Sequence, residues 1–172
     1  MTRPDITIST EVEIDYGQVY IYSASPWGRK PPSEAVTRAL NDAEQSERFV
    51  GVADGLIDLV VPFRKSFNAP MRIEVWQQEP PPDDDTWDHV VDVDFDVVDG
   101  RIVFEPSGGF GSLSTEESVP SGAYRARVSG RGYTEAASGA EGSDSYQLRL
   151  WPRDADTPPA LRKSWSGFPT SG

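Results

Sequence analysis

The sequence predicts an all-β fold, an antiparallel β-sandwich of roughly nine strands with one short surface helix. Three observations lead there. Apolar and polar residues alternate in short runs, the period of half-buried strands. Fifteen glycines and fifteen prolines are spread along the 172 residues and punctuate those runs. Aspartate–glycine pairs at Asp54-Gly55 and Asp99-Gly100 sit between apolar runs, where they favour tight hairpin turns.

The first two strands are Glu11 to Asp15 and Gln18 to Tyr22, around Tyr16-Gly17. A helix is expected over Ser33 to Ser46. Pro31-Pro32 precede it, Ser33 can cap it, and Glu34 suits the positive end of its dipole. Val36, Ala39, Leu40 and Ala43 form its apolar stripe. Arg48 to Ala53 and Leu56 to Val61 make a hairpin through Asp54-Gly55. Pro70 to Gln77, Asp88 to Val97 and Arg101 to Glu105 follow, then Gly122 to Ser129 and Ser145 to Trp151. The stretches 105–120 and 133–144 read as loops. The domain is expected to span 1–153, with 154–172 a proline-containing tail that Trp165 and Phe168 could anchor.

Composition excludes several function classes. There are no cysteines, so disulfides and thiolate chemistry are out and the simplest compartment is the cytoplasm. No apolar stretch is long enough to span a membrane, and the first residues lack signal-peptide character. A net charge of −12 argues against gripping nucleic acid through its phosphates. The charge is uneven: 23 acidic against nine basic residues before position 121, five against seven after it.

The acid concentrates between Asp83 and Asp99, with eight aspartates and no lysine or arginine. Asp83, Asp84 and Asp85 follow Pro80-Pro81-Pro82 in a loop. In the strand that comes next, Val91, Val93, Phe95 and Val97 face the core, while Asp88, Asp92, Asp94 and Asp96 face away. Carboxylates two residues apart stand about 6.8 Å from one another. Such a ladder needs a compensating charge, and three sources are open: a cation, a basic neighbouring strand, or a basic partner.

Asp92-x-Asp94-x-Asp96 opens like a calcium loop, but Val97 and Val103 stand where glycine and glutamate are needed. Internal pairing would use Arg125, Arg127 and Arg149, which have outward parity on the late strands. Enzyme chemistry finds little support. His89 is the only histidine, and no Gly-x-Ser-x-Gly turn accompanies it. No cofactor or metal is expected.

With these segments in place, the chain resembles the competence protein J family, inhibitors of a DNA-entry nuclease. The likeness runs through Ile14-Asp15-Tyr16-Gly17-Gln18-Val19-Tyr20 and Ala53-Asp54-Gly55-Leu56-Ile57. It continues in Val91 to Val97 with Gly100-Arg101-Ile102, and in Val119-Pro120-Ser121-Gly122-Ala123-Tyr124. The helical insert, the Arg131-Gly132-Tyr133 loop and the tail are additional to the family pattern. The resemblance implies a small cytoplasmic binding protein rather than an enzyme, with a nuclease as partner.

The residues and the resemblance converge on a non-catalytic, acidic inhibitor of a basic protein such as a nuclease. It would bind neither nucleic acid directly nor a membrane. Its partner-binding residues would be Asp83, Asp84, Asp85, Asp88, Asp92, Asp94 and Asp96, with Trp87 as a desolvated anchor. The alternative is a cation-assisted carbohydrate- or ligand-binding module, using Trp27, Trp76 or Trp151 as platforms.

Overall fold

The structure is a computed structural model that describes residues 3–23, 31–63, 67–108, 112–140 and 142–169. Its strands are β1 (Ile6–Ile14), β2 (Gln18–Ser23), β3 (Val50–Ala53), β4 (Leu56–Val60), β5 (Phe67–Val75) and β6 (His89–Val97). β7 (Ile102–Pro106), β8 (Leu113–Ser114), β9 (Gly122–Arg131), β10 (Ser145–Pro152) and β11 (Ala160–Lys163) complete the set, with helices α1 (Ser33–Gln45) and α2 (Tyr133–Ala137). A six-stranded sheet has the order β1-β5-β10-β9-β6-β11, and a five-stranded sheet the order β3-β4-β2-β7-β8. One apolar cluster draws on both sheets, with Ile14, Ile73 and Phe95 from the first and Ile21, Leu59 and Phe104 from the second.

The expected nine strands become eleven. β8 lies in a stretch expected as a loop, and β11 lies in the expected tail; both are too short to show periodicity. α2 likewise falls inside an expected loop. The expectation of a wholly antiparallel fold is corrected too, because β10 pairs with β5 in parallel. The reason is the connection after β5, which places β6 beyond β9 and leaves the gap beside β5 to β10.

Three turns put a residue with positive φ before a glycine: Tyr16-Gly17, Asp54-Gly55 and Asp99-Gly100. Both central residues left-handed is the primed hairpin geometry. Only Asp54-Gly55 keeps its two strands in one sheet, joining β3 to β4. The other two carry the chain from the six-stranded sheet to the five-stranded one.

The helix forms where expected, with a different buried stripe. Ala35, Ala39 and Ala43 are buried, whereas Val36 and Leu40 are half-buried. Pro32 rather than Ser33 occupies the cap position. Alanine is required because α1 lies almost on the backbone of β3. A Cβ at Gly51 would fall 1.8 Å from the Ala39 carbonyl oxygen.

Candidate functional site

Strand register decides what the acidic strand meets. β6 pairs with β9 so that Asp92 stands opposite Arg127 and Asp94 opposite Arg125. β10 then sets Arg149 opposite Arg127, and β5 sets Glu74 opposite Arg149. The result is one row across four strands, Glu74-Arg149-Arg127-Asp92. Arg127 holds both Asp92 oxygens, at 2.8 and 3.0 Å, and Arg149 donates to Glu74 at 3.0 Å. Burial alone would raise the Glu74 carboxyl, but hydrogen bonds from Arg72, Trp76 and Arg149 hold it below its ordinary value.

This face is charged, yet it is buried. Arg127 is 1% exposed, and Glu74, Asp92 and Arg149 are also buried. Two proline-containing segments cover it. The loop before β6 brings Glu79 to 3.3 Å from Arg127 and Asp83 to 3.2 Å from Arg149, which also donates to the Pro81 carbonyl. From the other side, the carbonyls of Thr157 and Pro158 accept from Arg125 at 2.8 and 2.9 Å. The same segment supplies Arg153, 2.7 Å from Asp96, and Arg162, 3.1 Å from Asp84.

The tryptophans are part of this packing. Arg127 stacks on Trp151 at 5.1 Å, Arg149 on Trp76 at 4.8 Å and Arg131 on Trp87 at 4.7 Å. All three indoles are less than a tenth exposed. Trp76 and Trp151 are therefore not open platforms for a sugar, and Trp27 lies outside the described residues. Trp87 donates to Asp83 at 3.1 Å. It is an anchor, but for its own loop.

The expected site residues thus separate. Asp92 pairs with Arg127 and lies 3.7 Å from Arg162. Asp94 pairs with Arg125 at 2.8 Å and accepts the Thr157 N–H at 2.9 Å. Asp88 accepts the first N–H of α2, from Tyr133, at 3.1 Å. Asp83 and Asp84 pair with Arg149 and Arg162 and stay about a quarter exposed. Asp96 is paired but largely open to water. Asp85 is exposed, with no ion pair among the described residues.

Arg125 and Arg127 are the partners that outward parity on β9 indicated. Arg153 and Arg162 are new: Arg153 is the last residue of the expected domain, and Arg162 comes from the segment expected as a tail. Glu74 and Glu79 are also new members of the network. Their signal was available: Glu74 has outward parity on its strand, and Glu79 precedes the triple proline.

The lone histidine is structural. His89 is 2% exposed. Its Nε2 contacts the Arg48 carbonyl, and its Nδ1 accepts the Trp165 N–H at 3.1 Å. Among the described residues, no group of three or more His, Cys, Asp or Glu is placed to hold a metal ion. No described helix is long and apolar enough to cross a membrane.

Neither a family model nor a curated protein sequence matches the chain. Solved structures do. One is ComJ from Bacillus subtilis, described as an inhibitor of the DNA degrading activity of NucA. It superposes with a TM-score of 0.56 over 89% of this chain and 99% of its own, at 19% identity. The chain has the ComJ fold. A second solved structure, described as Crocagin biosynthetic gene J, gives a TM-score of 0.57 over 86% of this chain and 97% of its own, at 18% identity. The ComJ fold extends over nearly all of both neighbours, so the likeness reaches beyond the strand motifs that first indicated it.

Proposed function

We propose that the chain is a non-catalytic cytoplasmic binding protein that blocks a basic protein, a nuclease being the partner that fits best. The observation that carries this reading is the ComJ fold, held over almost the whole length of a nuclease inhibitor. The net charge of −12 supports it. Nuclease clefts hold phosphates and are basic for that reason, so an acidic surface complements them.

The surface this reading uses is narrower than the full run of aspartates. Asp85 is exposed with no ion pair among the described residues, and Asp83, Asp84 and Asp96 offer partly open carboxylates. Asp88, Asp92 and Asp94 are engaged by Tyr133, Arg127 and Arg125, and Trp87 holds Asp83 within the loop. The cation-assisted alternative has no such support, because Asp92 and Asp94 already face arginines and two of its three platforms are covered.

The experiment is a titration of the purified chain into a nuclease from its source cell, with DNA degradation followed at low and moderate salt. Stoichiometric inhibition that weakens as salt rises is the expected result. Undiminished degradation at low salt, together with no nuclease retained by the immobilised chain, would overturn the proposal.

A further inference from the structure

We infer that the open edge between β1 and β8 binds an extended basic polypeptide segment as an added strand. This surface goes beyond the blocking role proposed above and does not depend on it. It lies on the far side of the sheet from the acidic strand. Four strand spacings separate β1 from β6, about 19 Å.

β1 ends its sheet and β8 ends the other. β1 pairs with β5 along all nine residues without a bulge, and no described strand pairs with its other edge. Among the described strands, β8 pairs only with β7. The two edges border one groove of about 260 Å³. Ile8, Ser9 and Thr10 form one wall, Leu113 and Thr115 stand on the other, and Phe104 lies between them.

An unpaired edge presents a row of backbone donors and acceptors, and proteins commonly guard it with proline, lysine or a bulge. β1 has none of these across Ile6–Ile14. What it carries is acid: Glu11 and Glu13 are exposed on its outer side, and Glu116 and Glu117 are exposed beside the groove. Among the described residues, no lysine or arginine lines the groove. Leu113, 39% exposed, adds an apolar contact at the mouth.

These features select the occupant. A strand added to β1 would point alternate side chains inward, toward Ile8, Phe104 and Leu113, and the others outward, level with Glu11 and Glu13. Apolar residues suit the first set and lysine or arginine the second. A second copy of this chain does not fit. It would bring another net −12 to an edge strand whose charged residues, Glu11 and Glu13, are both acidic.

The test uses the full chain and an eight-residue peptide alternating lysine and valine, with a glutamate–valine peptide for comparison. Calorimetry measures binding, and hydrogen exchange locates it. The lysine peptide should bind and slow amide exchange within Ile6–Ile14, and the glutamate peptide should not bind. Because both side chains are exposed, the double variant Glu116→Lys, Glu117→Lys should fold normally and bind at least about tenfold more weakly. Failure to bind, or binding that leaves exchange across Ile6–Ile14 unchanged, would overturn the inference. So would equal affinity in the double variant, or a peptide-free dimer that protects β1.

Discussion

Arg127, almost wholly buried, grips both carboxylate oxygens of Asp92 across the β6–β9 pairing. Two charges taken out of water stabilise little in net terms, but each depends on the other. Replacing Asp92 or Arg127 alone by alanine should cost about 3–5 kcal/mol, because it leaves an uncompensated buried charge. The double variant Asp92→Leu, Arg127→Met should recover most of that loss. Urea unfolding of the three variants checks it. Equal destabilisation by all three would show that packing, not charge balance, governs the row.

Asp85 should behave in the opposite way. Asp85→Lys breaks no ion pair, so stability should change by no more than about 0.5 kcal/mol. Association with a basic partner should slow at low ionic strength, since an exposed charge acts on the encounter rate. Stopped-flow measurement against the captured nuclease is the check. An unchanged on-rate would remove the loop as a steering element.

The sequence carried the local part of this picture. Parity on β6 placed Val91, Val93 and Phe95 in the core, and parity on β9 sent Arg125 and Arg127 outward to meet Asp94 and Asp92. What it lacked was the order of the strands. Nothing in residues 70–97 indicates that the loop from Glu79 to Asp88 folds back over three arginines. For that reason Trp87 read as an anchor to be desolvated by a partner, when in the fold it packs beneath Arg131. The C-terminal segment was illegible for a related reason. Arg153 and Arg162 act only through contacts distant in sequence, and the four residues of β11 are too few to alternate visibly. The groove at β1 required both sheets to be placed before its two free edges could be seen as neighbours.

Gly51→Ala tests the seating of α1. The added Cβ would meet the Ala39 carbonyl at 1.8 Å and the Ala43 nitrogen at 2.7 Å, both backbone atoms of the helix. The helix must lift, with a cost of the size known for overpacked cores, about 1–3 kcal/mol. Hydrogen exchange should quicken in α1 and remain unchanged in β9 and β10. Wild-type exchange in α1 would mean that the strand yields instead.

His89 clamps the end of the chain. Burial lowers its pKa, opposed in part by the hydrogen bond to the Arg48 carbonyl. The folded chain therefore keeps the ring neutral where the unfolded chain, titrating near pH 6.5, takes up a proton. Stability from this residue is full above that pH and is lost as pH falls from there through the folded value. Protonation also removes the acceptor for the Trp165 N–H. The region around Trp165 and Phe168 should loosen on acidification before the sheets do, read as faster exchange at the Trp165 amide. His89→Phe should loosen it at every pH. A Trp165 amide protected equally at pH 5 and pH 8 would contradict the clamp.

Asp58 points the other way. It is fully buried on β4, on the face of the sheet that α1 covers, and among the described residues neither carboxylate oxygen has a hydrogen-bond partner. Burial, reinforced by Glu44 on α1, pushes its pKa well above the ordinary value. Its other charged or titratable neighbours do not relieve it. On β2, burial and the charges of Asp58 and Glu105 raise the Tyr20 hydroxyl to about 12. The folded chain thus retains a proton that the unfolded chain releases near pH 4. Stability is full below that pH, declines as pH rises toward the folded value, and is constant above it. Asp58→Asn removes the charge while keeping the shape. Its melting temperature should match the wild type near pH 4 and exceed it at pH 8, by an amount equivalent to about 1–3 kcal/mol. Glu44→Gln should give a smaller change of the same sign, because it removes only the second cause of the shift. Thermal melts of the three proteins between pH 4 and pH 8 decide it. A difference between Asp58→Asn and wild type that stays flat with pH would mean that this carboxylate ionises in the fold as it does in water.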